Sequence, residues 1–194
     1  MSDIKRVVIM GAGGVGFWLT VALRRDQPNL EIIVYDDDDF EGGFGAQRLP
    51  HVANKKMKKV DYLNNYIQMV MRDPAIKAIA HKLTEAEFVL ASESFDVETL
   101  FVDCTDMSLD RRKPIWDLAR QTSCQMLRVS YDGNGIVVIA RGLPFSTNPG
   151  GRYSIVPTMA QSLWAGGVGA AAVEKLLKGE EVSDCQMELP GGLK

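Results

Sequence analysis

The chain has 194 residues, 46% of them apolar and 24% charged, with a formal net charge of -3 at pH 7. That length supports one domain with a real hydrophobic core, and the acidic balance excludes the basic face on which non-specific nucleic-acid binding rests. No apolar run reaches the roughly 20 residues that a membrane span requires, so neither nucleic acid nor membrane is expected as a partner.

Apolar runs alternate with helical periodicity, the order of a Rossmann-like, mostly parallel α/β sheet flanked by helices. Residues 5–10 are the first predicted strand, which starts too near the N-terminus to leave room for a signal peptide. Residues 15–25 follow as a helix whose apolar side is Phe17, Leu19, Val21, Ala22 and Leu23. Residues 30–35 are the second strand. Residues 36–52 are a polar, glycine-rich loop, too long for a plain connection and expected to carry function. A helix is predicted over 54–71, with Asn54 as its N-cap and Asp73-Pro74 as its stop. A short strand over 76–82 and a helix start at 84–87 come next, then a buried strand over 100–103 and a helix over 108–122. Strands over 125–131 and 135–140 flank Asp132-Gly133-Asn134-Gly135, a hairpin signal that adds an antiparallel extension and makes the sheet mixed. Residues 141–157 are a second long loop. Residues 158–178 form a helix rich in Ala and Gly, which packs closely against a neighbour. Residues 1–179 read as a single domain and 180–194 as a loose tail.

Three cysteines without a Cys-x-x-Cys pair predict reduced thiols, a cytoplasmic location and no tetrathiolate zinc site. His51 and His81 are too far apart to form a metal-ligand pattern. Cys104 and Cys124 read as structural. Cys185 sits among Glu180, Glu181 and Asp184, the opposite of the electropositive setting a reactive thiol needs.

Gly11-x-Gly13-x-x-Gly16 follows a strand and opens a helix, the context that a phosphate-cradling turn requires. Its glycines, Gly14 among them, let backbone approach phosphate oxygens, and the helix N-terminus favours negative charge. Asp36 follows the second strand, where a carboxylate accepts ribose hydroxyls. Four consecutive aspartates, Asp36 to Asp39, leave that assignment open by a position or two, and they would repel the 2′-phosphate of NADP. Arg48 ends the loop, and Lys55, Lys56, Lys58 and Lys59 begin the next helix. Cations here would lie over a polyphosphate, although most of the four lysines read as a solvated face. Asp103 and Asp106 end the fourth strand and offer oxygen ligands to a hard cation such as Mg²⁺. Asp106 alternatively caps the helix at Ser108, and Arg111 is placed to pair with one of the two carboxylates. In an open parallel sheet these strand ends share one crevice. A phosphate cradle facing carboxylates suggests a nucleotide with a metal ion rather than a hydride-transfer site.

In these segments the chain resembles the ThiF/MoeB/HesA family, the bacterial relatives of ubiquitin-activating enzymes, over nearly its whole length. The likeness is carried by Gly11-Ala12-Gly13-Gly14-Val15-Gly16, the Asp36-x-Asp38 pair, Arg48, the Lys59-Val60-Asp61 helix start, and Asp103-Cys104-Thr105-Asp106 with Arg111 beyond it. Pro157, with the small-residue helix running to Leu176-Leu177-Lys178-Gly179, resembles the family's closing helix. The resemblance implies an ATP-dependent adenylyltransferase. Such an enzyme uses Mg²⁺ to activate the C-terminal carboxylate of a small β-grasp protein, ubiquitin-like or a sulfur carrier, and releases pyrophosphate. It implies that Asp36 holds the ribose with Asp38 beside it, that Arg48 and Lys59 bind phosphates with Lys55 and Lys56 as alternatives to the lysine, and that Asp106 holds Mg²⁺. It also implies a homodimer, to which the apolar stretch 155–163 contributes.

Departures from the family pattern are Gly45 and Met107, each where asparagine is usual, the missing zinc cysteines, and the missing N-terminal helices. Residues 141–157, where some relatives place a thioester cysteine, contain none, so adenylation without a thioester step is expected. Two rival readings remain: a non-catalytic scaffold that binds a ubiquitin-like partner, and a NAD-dependent oxidoreductase.

Overall fold

The computed structural model describes residues 3–40, 57–72, 76–81, 84, 88–89, 95–131, 136–142 and 158–188. In chain order the elements are β1 (Arg6–Met10), α1 (Gly14–Asp26), β2 (Glu31–Tyr35), α2 (Lys59–Met71), β3 (Lys77–Ile79), β4 (Thr99–Asp103), α3 (Leu109–Gln121), β5 (Gln125–Tyr131), β6 (Ile136–Ala140), α4 (Met159–Leu177) and β7 (Cys185–Glu188). The seven strands form one sheet in the order β3-β2-β1-β4-β5-β6-β7. β1, β2, β3, β4 and β5 run parallel, and β6 and β7 add antiparallel pairs. This is the mixed α/β sheet that the sequence predicts.

β1 lies between β2 and β4, so the chain turns outward in both directions from it. That is the switch point at which open α/β sheets bind ligands. The register pairs Met10 with both Tyr35 and Asp103, which brings the ends of β1, β2 and β4 level at one crevice.

The central strands are apolar on both faces because helices cover both. Val7, Ile9, Leu100, Val102, Leu127 and Val129 pack with side chains of α1, α2 and α4 in one core. Val8, Met10, Ile33, Phe101 and Met126 face Ile115, Trp116 and Ala119 of α3 with Phe88 and Phe95. The small residues of α4 bring it as close as expected. A Cβ on Gly166 would stand 2.5 Å from Trp18 Cβ, and one on Gly169 would stand 2.7 Å from Leu19 Cδ1 and Val129 Cγ1. Among the described residues no helix is long and apolar enough to cross a membrane.

Two features depart from the sequence reading. First, α2 starts at Lys59 rather than after Asn54, which lies outside the described residues. Its N-cap is Lys58, which is extended (φ -62°, ψ 143°). Lys58 forms an isolated antiparallel bridge with Asp39, Phe40 N donates to Met57 O at 2.7 Å, and Lys59 N donates to Asp38 O at 3.0 Å. These bonds hold the chain extended and delay the helix. The end of α2 at Met71 is where the sequence reading puts it; the cap is Arg72, in the left-handed region at φ 54°, and the expected stop at Asp73-Pro74 lies outside the described residues. Second, residues 185–188 of the expected loose tail pair with β6 as β7. Only Met187 of that strand is even half-buried, so side-chain patterning gives no sign of it. Backbone pairing, together with Arg141 N donating to Asp184 Oδ1 at 2.7 Å, holds it on the edge. The Asp132–Gly135 turn is outside the described residues, but the antiparallel pairing it predicts, Tyr131 opposite Val137, is present.

Candidate functional site

The glycine turn is built where no side chain fits. Gly11 has φ +99°, donates its N–H to Tyr35 O at 2.8 Å, and has Cys104 backbone 3.2 Å from where its Cβ would be. A Cβ on Gly16 would meet Gly11 O at 1.9 Å. Gly13 is the N-cap of α1 and differs from both: nothing lies within 4 Å of the place a Cβ would take. The first turn of α1 carries no acidic residue, and its N-cap makes no side-chain bond. The helix therefore presents free N–H groups and a positive dipole end to the crevice.

Asp36 braces this turn from β2. Its Oδ2 accepts from Ala12 N at 2.7 Å and its Oδ1 from Asp38 N at 2.9 Å. Burial pushes its carboxyl above the usual range, opposed by the Lys59 charge and the two backbone donors. The carboxylates of Asp36, Asp37 and Asp38 lie within 4.8 Å of one another. Lysines answer this negative charge: Lys59 pairs with Asp38, and Lys58 pairs with Asp39 at 2.9 Å. Lys58 Nζ also donates to Asp37 O at 2.8 Å.

On the opposite wall, β4 delivers two carboxylates to different fates. Asp103 is fully buried. Its Oδ1 accepts from Thr105 N at 3.0 Å and Thr105 Oγ1 at 2.8 Å, and its Oδ2 accepts from Trp116 Nε1 at 2.9 Å. Arg112 Nε lies 2.8 Å from the same Oδ2. Asp106 is exposed, lines the crevice, and has no hydrogen-bond or ion-pair partner among the described residues. It does not cap α3, whose N-cap is Ser108 without a side-chain bond.

The crevice gathers Gly11, Gly13, Gly14, Asp36, Asp38, Lys59 and Asp106 from the expected set. Gly16 lies behind the turn and Asp103 beneath the floor. Asp103, expected to touch the cofactor, instead has its acceptors occupied within the protein. Arg48, Gly45, Lys55 and Lys56 lie outside the described residues. Arg111 is exposed, and Arg112 makes the carboxylate pair expected of it. The signal for Arg112 was available: it shares a helical face with Ile115, Trp116 and Ala119, all buried, at the spacing that marks a core face. Tyr131 at the end of β5 and Ser162 in the first turns of α4 also line the crevice, and no motif announces either. Burial pushes the Cys104 thiol up, assisted by Asp103 and opposed by Arg128, so it stays protonated and un-nucleophilic.

No protein-family model matches the chain, and no curated protein matches it. Solved structures do. MccB of E. coli with ATP superposes with a TM-score of 0.72 at 15% identity, covering 98% of this chain and 66% of that one. The microcin C7 biosynthetic enzyme MccB in complex with N-formylated MccA gives 0.73 at 16% identity, covering 99% and 64%. PaaA gives 0.72 at 12% identity, covering 99% and 63%. The fold is theirs. At these identities the likeness extends to the fold alone, and the chain spans just under two thirds of each of those proteins.

Proposed function

We propose that this chain is an ATP-dependent adenylyltransferase of the ThiF/MoeB/HesA kind. Its substrate would be the C-terminal carboxylate of a small β-grasp protein or peptide, activated without a thioester of the enzyme's own. The observation that carries the reading is Asp106, a crevice carboxylate with no partner among the described residues, opposite an open glycine turn. Phosphate groups on the turn would be met by α1 N–H groups, and Gly13 leaves the space they need. Asp36 retains lone pairs beyond its two backbone bonds to accept a ribose hydroxyl. Lys59 stands at the crevice with Asp38 as its counter-ion, and phosphate oxygens would compete for it, with Arg48 assigned the same task. The donor set fits Mg²⁺, a hard cation that combines one or two carboxylates with phosphate and water. Asp106 would hold it, and bound there it would offset charge on the phosphates.

In the reaction, a carboxylate oxygen of the partner attacks the α-phosphorus in line. The bond to the bridging oxygen breaks, pyrophosphate leaves, and an acyl adenylate remains. The protein's part is positioning and charge neutralisation rather than proton transfer. The fold shared with MccB, solved both with ATP and with N-formylated MccA, supports a nucleotide and a small peptide or protein as the two substrates. A homodimer through the start of α4, where Met159 and Leu163 are exposed, and a cytoplasmic location consistent with three free cysteines belong to the same reading.

Met107 lines the crevice where the family has asparagine, and this favours the scaffold as the second reading. Thermal unfolding in Mg-ATP and in NAD separates the cases. A ligand at a hundredfold excess over its Kd adds about 2.7 kcal/mol. Stabilisation by Mg-ATP alone is expected. Stabilisation by NAD alone sinks the adenylation reading, and no response to either leaves the scaffold.

A further inference from the structure

Asp103 sits one layer below the nucleotide crevice, and all of its carboxylate bonds run to Thr105 and to two side chains of α3. It is fully buried, and Arg112 beside it is 2% exposed. A buried ion pair is weak evidence for stability, because desolvation of two charges offsets their attraction. Its geometry points elsewhere. Asp103 holds Thr105 at both its N–H and its hydroxyl, and Arg112 Nη2 donates to Thr105 O at 3.0 Å. Every hydrogen-bonding group of Thr105 is thereby fixed. Trp116 Nε1 holds the other oxygen of Asp103, and the Trp116 ring is itself fully buried. Thr105 is the residue before Asp106, whose side chain has no hydrogen-bond or ion-pair partner among the described residues. Thr105 also borders the glycine turn: its Cγ2 lies 3.3 Å from where a Gly11 Cβ would stand.

We propose that Trp116 and Arg112 are positioning residues of the nucleotide site: acting through Asp103 and Thr105, they hold Asp106 where it can take the metal of Mg-ATP. The proposal rests on the ATP reading above. Arg112 spans Asp103 and Thr105 with a planar fork that lysine cannot reproduce.

The test is calorimetric titration of ATP, with Mg²⁺ and with EDTA in its place. It is run on the wild-type chain, Trp116→Phe and Arg112→Lys, with Thr105→Val and Thr105→Ser as a second pair. Loss of a residue that orients a metal ligand lowers affinity about tenfold or more. That loss is expected for Mg-ATP in Trp116→Phe, Arg112→Lys and Thr105→Val. Thr105→Ser, which keeps the hydroxyl, retains the affinity, and ATP without metal binds all of them as it binds the wild type. Equal losses with and without Mg²⁺, or undiminished Mg-ATP affinity in folded variants, overturn the proposal. If Trp116→Phe and Arg112→Lys do not fold, the threonine pair decides by the same criteria. A wild-type chain that binds ATP in neither buffer overturns the nucleotide reading, and this proposal with it.

Discussion

Gly13 and Gly16 belong to one motif, yet their surroundings assign them different work. Gly16→Ala drives a Cβ into Gly11 O at 1.9 Å, and overpacking of that kind costs about 1–3 kcal/mol or more. Gly13→Ala meets nothing within 4 Å, and the backbone at Gly13, with φ -71°, suits any residue. Its stability should stay within about 0.5 kcal/mol of wild type, while ATP affinity falls because the methyl occupies the phosphate approach. Urea unfolding and nucleotide titration of the two variants check both halves. Equal stability losses would mean the turn is only a packing device. Asp36 supplies a pH signature. Its carboxyl titrates higher in the folded chain than its ordinary value, so its contribution to stability is present below about pH 4 and is lost as pH rises through the raised value. Asp36→Asn removes this dependence. The stability difference, variant minus wild type, should therefore grow across the acid range and then level off. A difference independent of pH, read by denaturant unfolding at a series of pH values, contradicts that origin. At this scale the motif residues of the described segments were legible from spacing. Asp103's burial was not, because spacing says that a carboxylate ends a strand and not whether a tryptophan and an arginine from the next helix close over it.

At the scale of elements, α4 shows what composition predicts and what it omits. The Ala and Gly content of 158–178 signals close packing, and Gly166 and Gly169 deliver it against α1 and β5. Gly167, between them, is exposed and has nothing within 4 Å of a Cβ. Gly167→Ala should therefore stabilise the chain by roughly 0.5–1 kcal/mol through helix propensity. Gly166→Ala should destabilise it, because Trp18 Cβ and the Leu19 backbone stand under 3 Å away. Thermal or chemical denaturation of the two variants reads the opposite signs. The helix starts and the edge strand were the least legible elements. The beginning of α2 is set by backbone bonds to residues 38–40, some twenty positions upstream, and β7 by pairing to β6. Neither leaves an apolar period in the local sequence. The central strands and the α4 helix do leave an apolar pattern, because each buries a continuous apolar surface.

At the scale of the molecule, the order of strands does most to define the site. Parallel pairing of β1 with both β2 and β4 brings together a glycine turn at residues 11–16, an acidic cluster at 36–38 and a carboxylate at 106. They lie up to some ninety residues apart in the chain, and this convergence was legible because alternating strands and helices admit few topologies. The shared fold with MccB and PaaA agrees with the topology and leaves the chemistry to the residues in the crevice. The most direct test of that chemistry is titration of Mg-ATP into the wild-type chain and into Asp106→Asn. The wild type should bind saturably. The variant, which keeps the shape but loses the charge, should bind Mg-ATP about tenfold or more weakly, the scale of a charge-assisted contact, with metal-free ATP unaffected. A wild type that binds no Mg-ATP, or a variant that binds it equally well, contradicts the assignment of this crevice as an ATP·Mg²⁺ adenylation site.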